Sequence, residues 1–186
     1  MFLEMIKSIV LGIVEGISEW LPISSTGHMI LVNELINNTE GFTASDLYLY
    51  VIQLGAILAV VTLYFHKLNP FSPKKTNAEK ENTWKMWFKV IIACVPAAVI
   101  GFVLDNFMSA WENWQVVSAM LILYGVAFIV VESLHKETKI ESMDDMTYKT
   151  ALLIGLFQVL SIVPGTSRSG ATILGAMLIG LSLIHI

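Results

Sequence analysis

Three stretches of this chain are almost free of charge. Leu47–Tyr64, Phe88–Leu104 and Val116–Val131 hold one charged side chain between them, Lys89. A helix needs about 20 mostly apolar residues to cross a bilayer, and each stretch comes close. Lys89 stands at the start of the second, where a lysine can snorkel to the interface. Composition agrees: 14% of residues are charged and 55% fall in the set AVILMFWYC, whereas a soluble domain carries roughly 25% charged residues. Such hydrophobicity excludes a disordered chain. The lone Cys94 excludes a disulfide scaffold. A net charge of −4 offers nucleic acid no basic surface. The chain reads as an all-α, polytopic membrane protein.

Two further apolar segments carry polar residues in their middle. Met5–Val32 contains Glu15, Glu19, Pro22, the run Ser24-Ser25-Thr26 and His28, while Ala151–Gly180 contains Gln158, Pro164, Thr166, Ser167, Arg168 and Ser169. In each, a proline stops one helix and hydroxyl residues suited to capping open another. Lipid tolerates such a break only where it is buried in protein or lines a watery cavity. The expected architecture is a single membrane domain over residues 1–180. It has a re-entrant hairpin at about 5–35, full spans at about 47–66, 88–104 and 116–133, and a second, incomplete re-entrant hairpin at about 150–180. Lys7 and the apolar run Ser8–Val14 mimic a signal peptide, but Glu4 precedes them, Glu15 ends them and no small-residue cleavage site follows. The amino terminus reads as mature and structural.

Lysine counts orient the spans. The connection Lys67–Trp87 carries five lysines and His135–Thr150 three, whereas Asn37–Asp46 and Asp105–Gln115 carry neither lysine nor arginine. The lysine-rich pair is expected on the cytoplasmic side. The two broken segments also match each other. Shifted by 143 positions, Leu11–Val32 lies on Ile154–Gly175: Gly12 meets Gly155, Ser18 meets Ser161, Ser24 meets Ser167 and Gly27 meets Gly170. Ile30-Leu31 meets Ile173-Leu174, Glu15 falls on Gln158 and Thr26 on Ser169. Three spans between the copies make them enter from opposite faces, and an inverted repeat of this kind brings two breaks together near the midplane.

The chemistry concentrates at those breaks. Glu15 and Glu19 are four apart, on one helix face. Two carboxylates there need a cation, an arginine or a shared proton between them, unless the helix end is simply in water. Pro22-Ile23-Ser24-Ser25-Thr26-Gly27-His28 opens a helix whose free N–H groups and positive dipole end suit an anion. Ser25 and His28, three apart, can pair as hydroxyl nucleophile and base; the same run also reads as an ordinary cap. Pro164-Gly165-Thr166-Ser167-Arg168-Ser169-Gly170 repeats the theme with the chain's one arginine, Arg168, beside ten lysines. A planar bidentate donor there points to carboxylate or phosphate, the alternative being an arginine that snorkels. Together these groups describe an oxyanion site for a phosphate or diphosphate carried on a lipid. Gln53 can hydrogen-bond to another helix or line that site. Cys94 reads as helix packing, His66 and His135 as interfacial, the Trp and Tyr residues as headgroup belts, and the methionines as apolar filler.

The run from Glu15 to His28 closely resembles the first signature of the bacterial undecaprenyl-diphosphate phosphatases of the bacitracin-resistance type, and Pro164–Thr172 resembles the second. Gln53-Leu54-Gly55 and Asp144-Asp145-Met146-Thr147-Tyr148 are similar to further stretches of that family. The resemblance implies hydrolysis of undecaprenyl diphosphate to the monophosphate, recycling a lipid carrier for peptidoglycan in the bacterial plasma membrane; the lysine count alone sets the expectation that the site faces the outer side. It implies catalytic roles for Glu15, Glu19, Ser25, His28 and Arg168, and substrate contacts from Ser24, Thr26, Gln53, Thr166, Ser167 and Ser169. A divalent cation, magnesium or calcium, is expected on Glu15 and Glu19. The partners implied are a polyprenyl diphosphate and the membrane, not nucleic acid, with room for a homodimer. Family members are longer, with further spans after the second signature, so the chain is expected to be a truncated member with an incomplete repeat. Leu181–Ile186 reads as a non-native tail in which His185 carries no meaning. The rival functions are a lipid-phosphate flippase using the same anion site and a purely structural membrane subunit.

Overall fold

The computed structural model describes residues 2–38, 41–108, 111–134 and 138–182. His135, Lys136 and His185 lie outside the described residues. Eight α-helices follow one another among the described residues: α1 (Phe2–Ser18), α2 (Ser25–Leu35), α3 (Asp46–Leu63), α4 (Phe65–Leu68), α5 (Asn77–Met108), α6 (Trp114–Ser133), α7 (Tyr148–Gln158) and α8 (Arg168–Ile179). Short 3-10 turns lie at Phe42–Ala44 and Val159–Ile162, and no strand forms among the described residues. The chain is all-α, as expected.

Helices α3, α5 and α6 are long and apolar enough to cross a membrane. Only 6%, 11% and 6% of their most apolar windows is buried within the protein. That exposure would be untenable in water and suits a surface facing lipid tails, where an apolar side chain gains nothing by burial. Helix α5 starts at Asn77, well before the expected Phe88. A capping box explains the extension: the Thr76 hydroxyl accepts from the Glu79 N–H at 3.3 Å, and Glu79 Oε2 accepts from the Thr76 N–H at 2.7 Å. Lys89 does not reach for solvent. It is 8% exposed and donates to the Met143 carbonyl, because α5 packs along α7 and the loop before it.

Both interrupted segments break where the prolines stand. α1 ends at Ser18 and α2 opens at Ser25; α7 and its 3-10 turn end at Ile162 and α8 opens at Arg168. Each break bends the chain into a hairpin whose two outer ends lie together. In the first, Lys7 Nζ donates to Asn38 Oδ1 at 2.9 Å and the Thr43 hydroxyl donates to Glu4 Oε2 at 2.8 Å. In the second, Ile140 and Leu181 form an isolated parallel bridge, and the Ser182 N–H donates to the Ile140 carbonyl at 2.8 Å. Leu181 and Ser182 are buried, while residues 183–186 lie outside the described part. The first hairpin closes beside the lysine-free connection 37–46, the second beside the lysine-rich connection 135–150.

The hairpins meet at their breaks. A Cβ placed on Gly170 would sit 2.7 Å from the Pro22 carbonyl oxygen, so the contact admits only glycine. Val117, fully buried in the first turn of α6, wedges between the two: it lies against Gly27 on one side and Gly165 on the other. Gly165 has φ +87°, a left-handed conformation that other residues adopt at a cost. The expectation that two distant breaks touch is fulfilled in the fold.

Candidate active site

Between the touching breaks lies a cavity of about 450 Å³. The first hairpin contributes Glu19, Ser24, Ser25 and Thr26, the second Thr166, Ser167, Arg168 and Ser169, and α3 adds Gln53. Nine of the sequence-derived candidates thus line one wall or another of a single space.

Local chemistry sets each helix start in the same way. Ser24 caps α2, its hydroxyl accepting from the Gly27 N–H at 3.1 Å, and Ser167 caps α8, accepting from the Gly170 N–H at 3.0 Å. Ser24 and Ser167 are both buried, and their hydroxyls are committed to the caps. The N–H groups of the first two residues in each helix have no partner within the helix. They add two positive dipole ends to the cavity.

The remaining groups divide by hairpin. Ser25, buried, donates its hydroxyl to Glu19 Oε2 at 2.6 Å. This pairing replaces the expected one with His28: no hydrogen bond joins Ser25 to His28 among the described residues. The His28 ring is held instead by its Nδ1, 2.7 Å from the Ser24 carbonyl, which fixes the tautomer. His28 and Glu15 do not line the cavity. Thr26 accepts from Gln53 Nε2 at 3.1 Å, tying α3 to the start of α2. Ser169 is exposed and shares a 3.0 Å hydrogen bond with Ser167. Thr166 is buried, its hydroxyl beside that of Tyr124.

Arg168 is exposed at the first position of α8 and forms no ion pair among the described residues. A cation at the positive end of a helix dipole is unfavourable unless an anion lies between them. The arrangement therefore asks for an oxyanion. Glu15 presents the complementary problem: it is 2% exposed, and neither carboxylate oxygen has a partner. A buried carboxylate left so is costly and calls for a proton or a cation. Among the described residues no three His, Cys, Asp or Glu side chains converge. Glu15 and Glu19 stand one helical turn apart, and of the two only Glu19 lines the cavity.

A second cavity of about 440 Å³ adjoins the first, and Thr26, Gln53, Pro164 and Arg168 line both. Its other walls include Asp46, Tyr50 and Glu112, which the sequence reading passed over. Their signal was positional: Asp46 and Glu112 stand on the lysine-free connections, and Tyr50 lies one turn into α3. Ser161 was noticed only as the repeat partner of Ser18, yet it lines the main cavity.

The match to known proteins follows this geometry. A model of the family described as bacitracin resistance protein BacA matches residues 8–184. The chain belongs to that family. Undecaprenyl-diphosphatase from Enterococcus faecalis is 57% identical over 185 residues, covering 98% of this chain and 67% of the relative. The proteins of the same name from Limosilactobacillus fermentum and Streptococcus thermophilus are 57% and 56% identical, covering 97% of this chain and 66% and 64% of their own lengths. The chain thus spans about two thirds of the length of these BacA-family relatives. They are named as diphosphatases, which does not favour the flippase reading.

Proposed function

We propose that this protein hydrolyses undecaprenyl diphosphate to undecaprenyl phosphate and inorganic phosphate, recycling the lipid carrier of cell-wall synthesis and so conferring bacitracin resistance. The observation that carries the reading is Arg168: a guanidinium without an ion pair at the start of α8, lining the same cavity as the Ser25–Glu19 pair of the other hairpin.

In this reading the diphosphate lies between the amino ends of α2 and α8. Arg168 and the free N–H groups take up charge on the transferring phosphoryl oxygens in a loose transition state. Ser25 Oγ attacks the terminal phosphorus and passes its proton to Glu19, 2.6 Å away. Undecaprenyl phosphate leaves, and water cleaves the phosphoserine as Glu19 returns the proton to the departing Ser25 Oγ; His28, bonded to the Ser24 carbonyl, holds the start of α2 in place. Glu15 and Glu19 would hold the divalent cation, magnesium or calcium, which supplies further neutralisation of the diphosphate. A groove of about 200 Å³ bounded by Glu19, Trp20, Ala56, Ile57, Val60 and Val61 receives the first isoprene units. The adjoining cavity leads toward Asp46 and Glu112 on the lysine-free side, which supports a site open to the outer face and hairpins that are re-entrant from opposite faces.

Phosphate release from undecaprenyl diphosphate, with and without chelator, tests the reading. Ser25→Ala is expected to abolish both turnover and a trapped phosphoenzyme, whereas His28→Ala, outside the cavity, is expected to lower turnover while phosphoenzyme still forms. A phosphoenzyme that survives Ser25→Ala would refute the assignment of the nucleophile.

A further inference from the structure

Lys89 is buried with a single neutral acceptor, the Met143 carbonyl, and no carboxylate within 4.0 Å of its ammonium among the described residues. An ammonium carries three donors, and a buried charge is stable only when paired. Lys89 lines a cavity of about 300 Å³ together with Lys67, Lys75 and Lys85, at the lysine-rich end of α5. Lys75 is likewise bonded to neutral atoms, the Lys67 carbonyl and the Thr83 hydroxyl, both at 2.7 Å. Two carboxylates line the cavity beside these four lysines: Glu79, which also caps α5 at Thr76, and Asp144. Lys85 is paired outside it with Glu81 at 2.8 Å. The cavity thus keeps more positive charge than its own walls neutralise.

A second feature places its depth. Phe71, Trp84 and Phe88 are exposed on the same stretch, with ring centroids 5.6 and 6.3 Å apart in succession. Aromatic rings of this kind settle at the headgroup level of a bilayer. Anionic phospholipids of the cytoplasmic leaflet attract lysines at that depth.

We propose that this cavity binds a phosphate oxyanion presented by the headgroup of an anionic glycerophospholipid, with Lys89 as its innermost ligand. The bound headgroup joins the start of α5 to Met143 and Asp144, the loop that closes the second hairpin. No residue of this cavity lines the proposed diphosphate site.

The test uses the whole chain in detergent, titrated with short-chain phosphatidylglycerol or phosphatidylcholine and read as lipid retained in native mass spectrometry. Phosphatidylglycerol is expected to be retained in preference. Lys89→Met is expected to reduce its retention about five- to tenfold. Lys67→Gln, exposed and harmless to folding, is expected to reduce it about threefold. Lys149→Met, an equal change of charge outside the cavity, is expected to change it less than about twofold. Equal retention in all three variants, or no preference for phosphatidylglycerol, overturns the lipid site. Binding of inorganic phosphate that depends on Lys89, without lipid preference, keeps the oxyanion site and overturns the lipid as its source.

Discussion

The two broken hairpins share their tips and differ everywhere else. At the tips, Ser24 and Ser167 cap their helices onto Gly27 and Gly170 with nearly the same geometry, 3.1 and 3.0 Å. Ser18 and Ser161 both bond back to a carbonyl of the preceding turn at 2.7 Å. The residue after each cap is where they part: Ser25 opens α2 and Arg168 opens α8. One hairpin presents a hydroxyl with its carboxylate, the other a guanidinium with none. Toward the feet the contrast is one of packing. Gly155 lies against the Ala93 backbone, where a Cβ would be 2.2 Å from the carbonyl oxygen, whereas Gly12, its repeat partner, has nothing within 4 Å. The tips are alike because each opens a helix with a serine cap three residues before a glycine; the feet answer only to whatever packs on them.

The largest effects are expected where the tips differ. Arg168→Gln, Glu19→Gln and Ser25→Ala should each lower phosphate release by about a hundredfold or more, measured as initial rates with melting temperatures unchanged. Thr172→Ser, one turn into α8, should leave the rate near that of the parent. A mild effect of Arg168→Gln would mean that the hairpins do not divide the chemistry as described.

Glycine packing gives the next contrast. Gly155→Val must push α7 off α5 and should destabilise the fold by about 3 kcal/mol, while Gly12→Val should stay within about 0.5 kcal/mol. Thermal unfolding in detergent separates them, and equal losses would erase the distinction between the feet. Gly170→Ala should cost about 2 kcal/mol, since the Pro22 carbonyl cannot yield without parting the tips, and should lower turnover with it.

The caps should give a modest and more even response. Ser24→Ala and Ser167→Ala are each expected to cost about 1 kcal/mol, read by chemical denaturation. A difference of more than about twofold between them would show that the repeat is not symmetric even at its tips.

Much of this was legible in the sequence, for identifiable reasons. Uncharged runs announce spans because lipid penalises charge, and Pro22 and Pro164 announce breaks because they stop helices. The start of α5 was also written, in Thr76 and Glu79, but the lysines around it read as loop. What no local pattern announced was contact across the chain. Ser25 turns to Glu19 rather than His28 because the turn at residues 19–24 folds the carboxylate back over the helix start. Val117 packs against both breaks, and Lys89 is covered by the loop at Met143, only because distant helices pack there.

The account stands on the two tips sharing one anion-binding space. Cysteines at Ile23 and Ser169, in a Cys94→Ala background, test this directly through cross-linking by a short bis-maleimide in membranes. The expected result is efficient cross-linking that inorganic pyrophosphate suppresses. Absence of cross-linking in folded protein, while a cysteine pair at Lys7 and Asn38 within one hairpin still reacts, would contradict it.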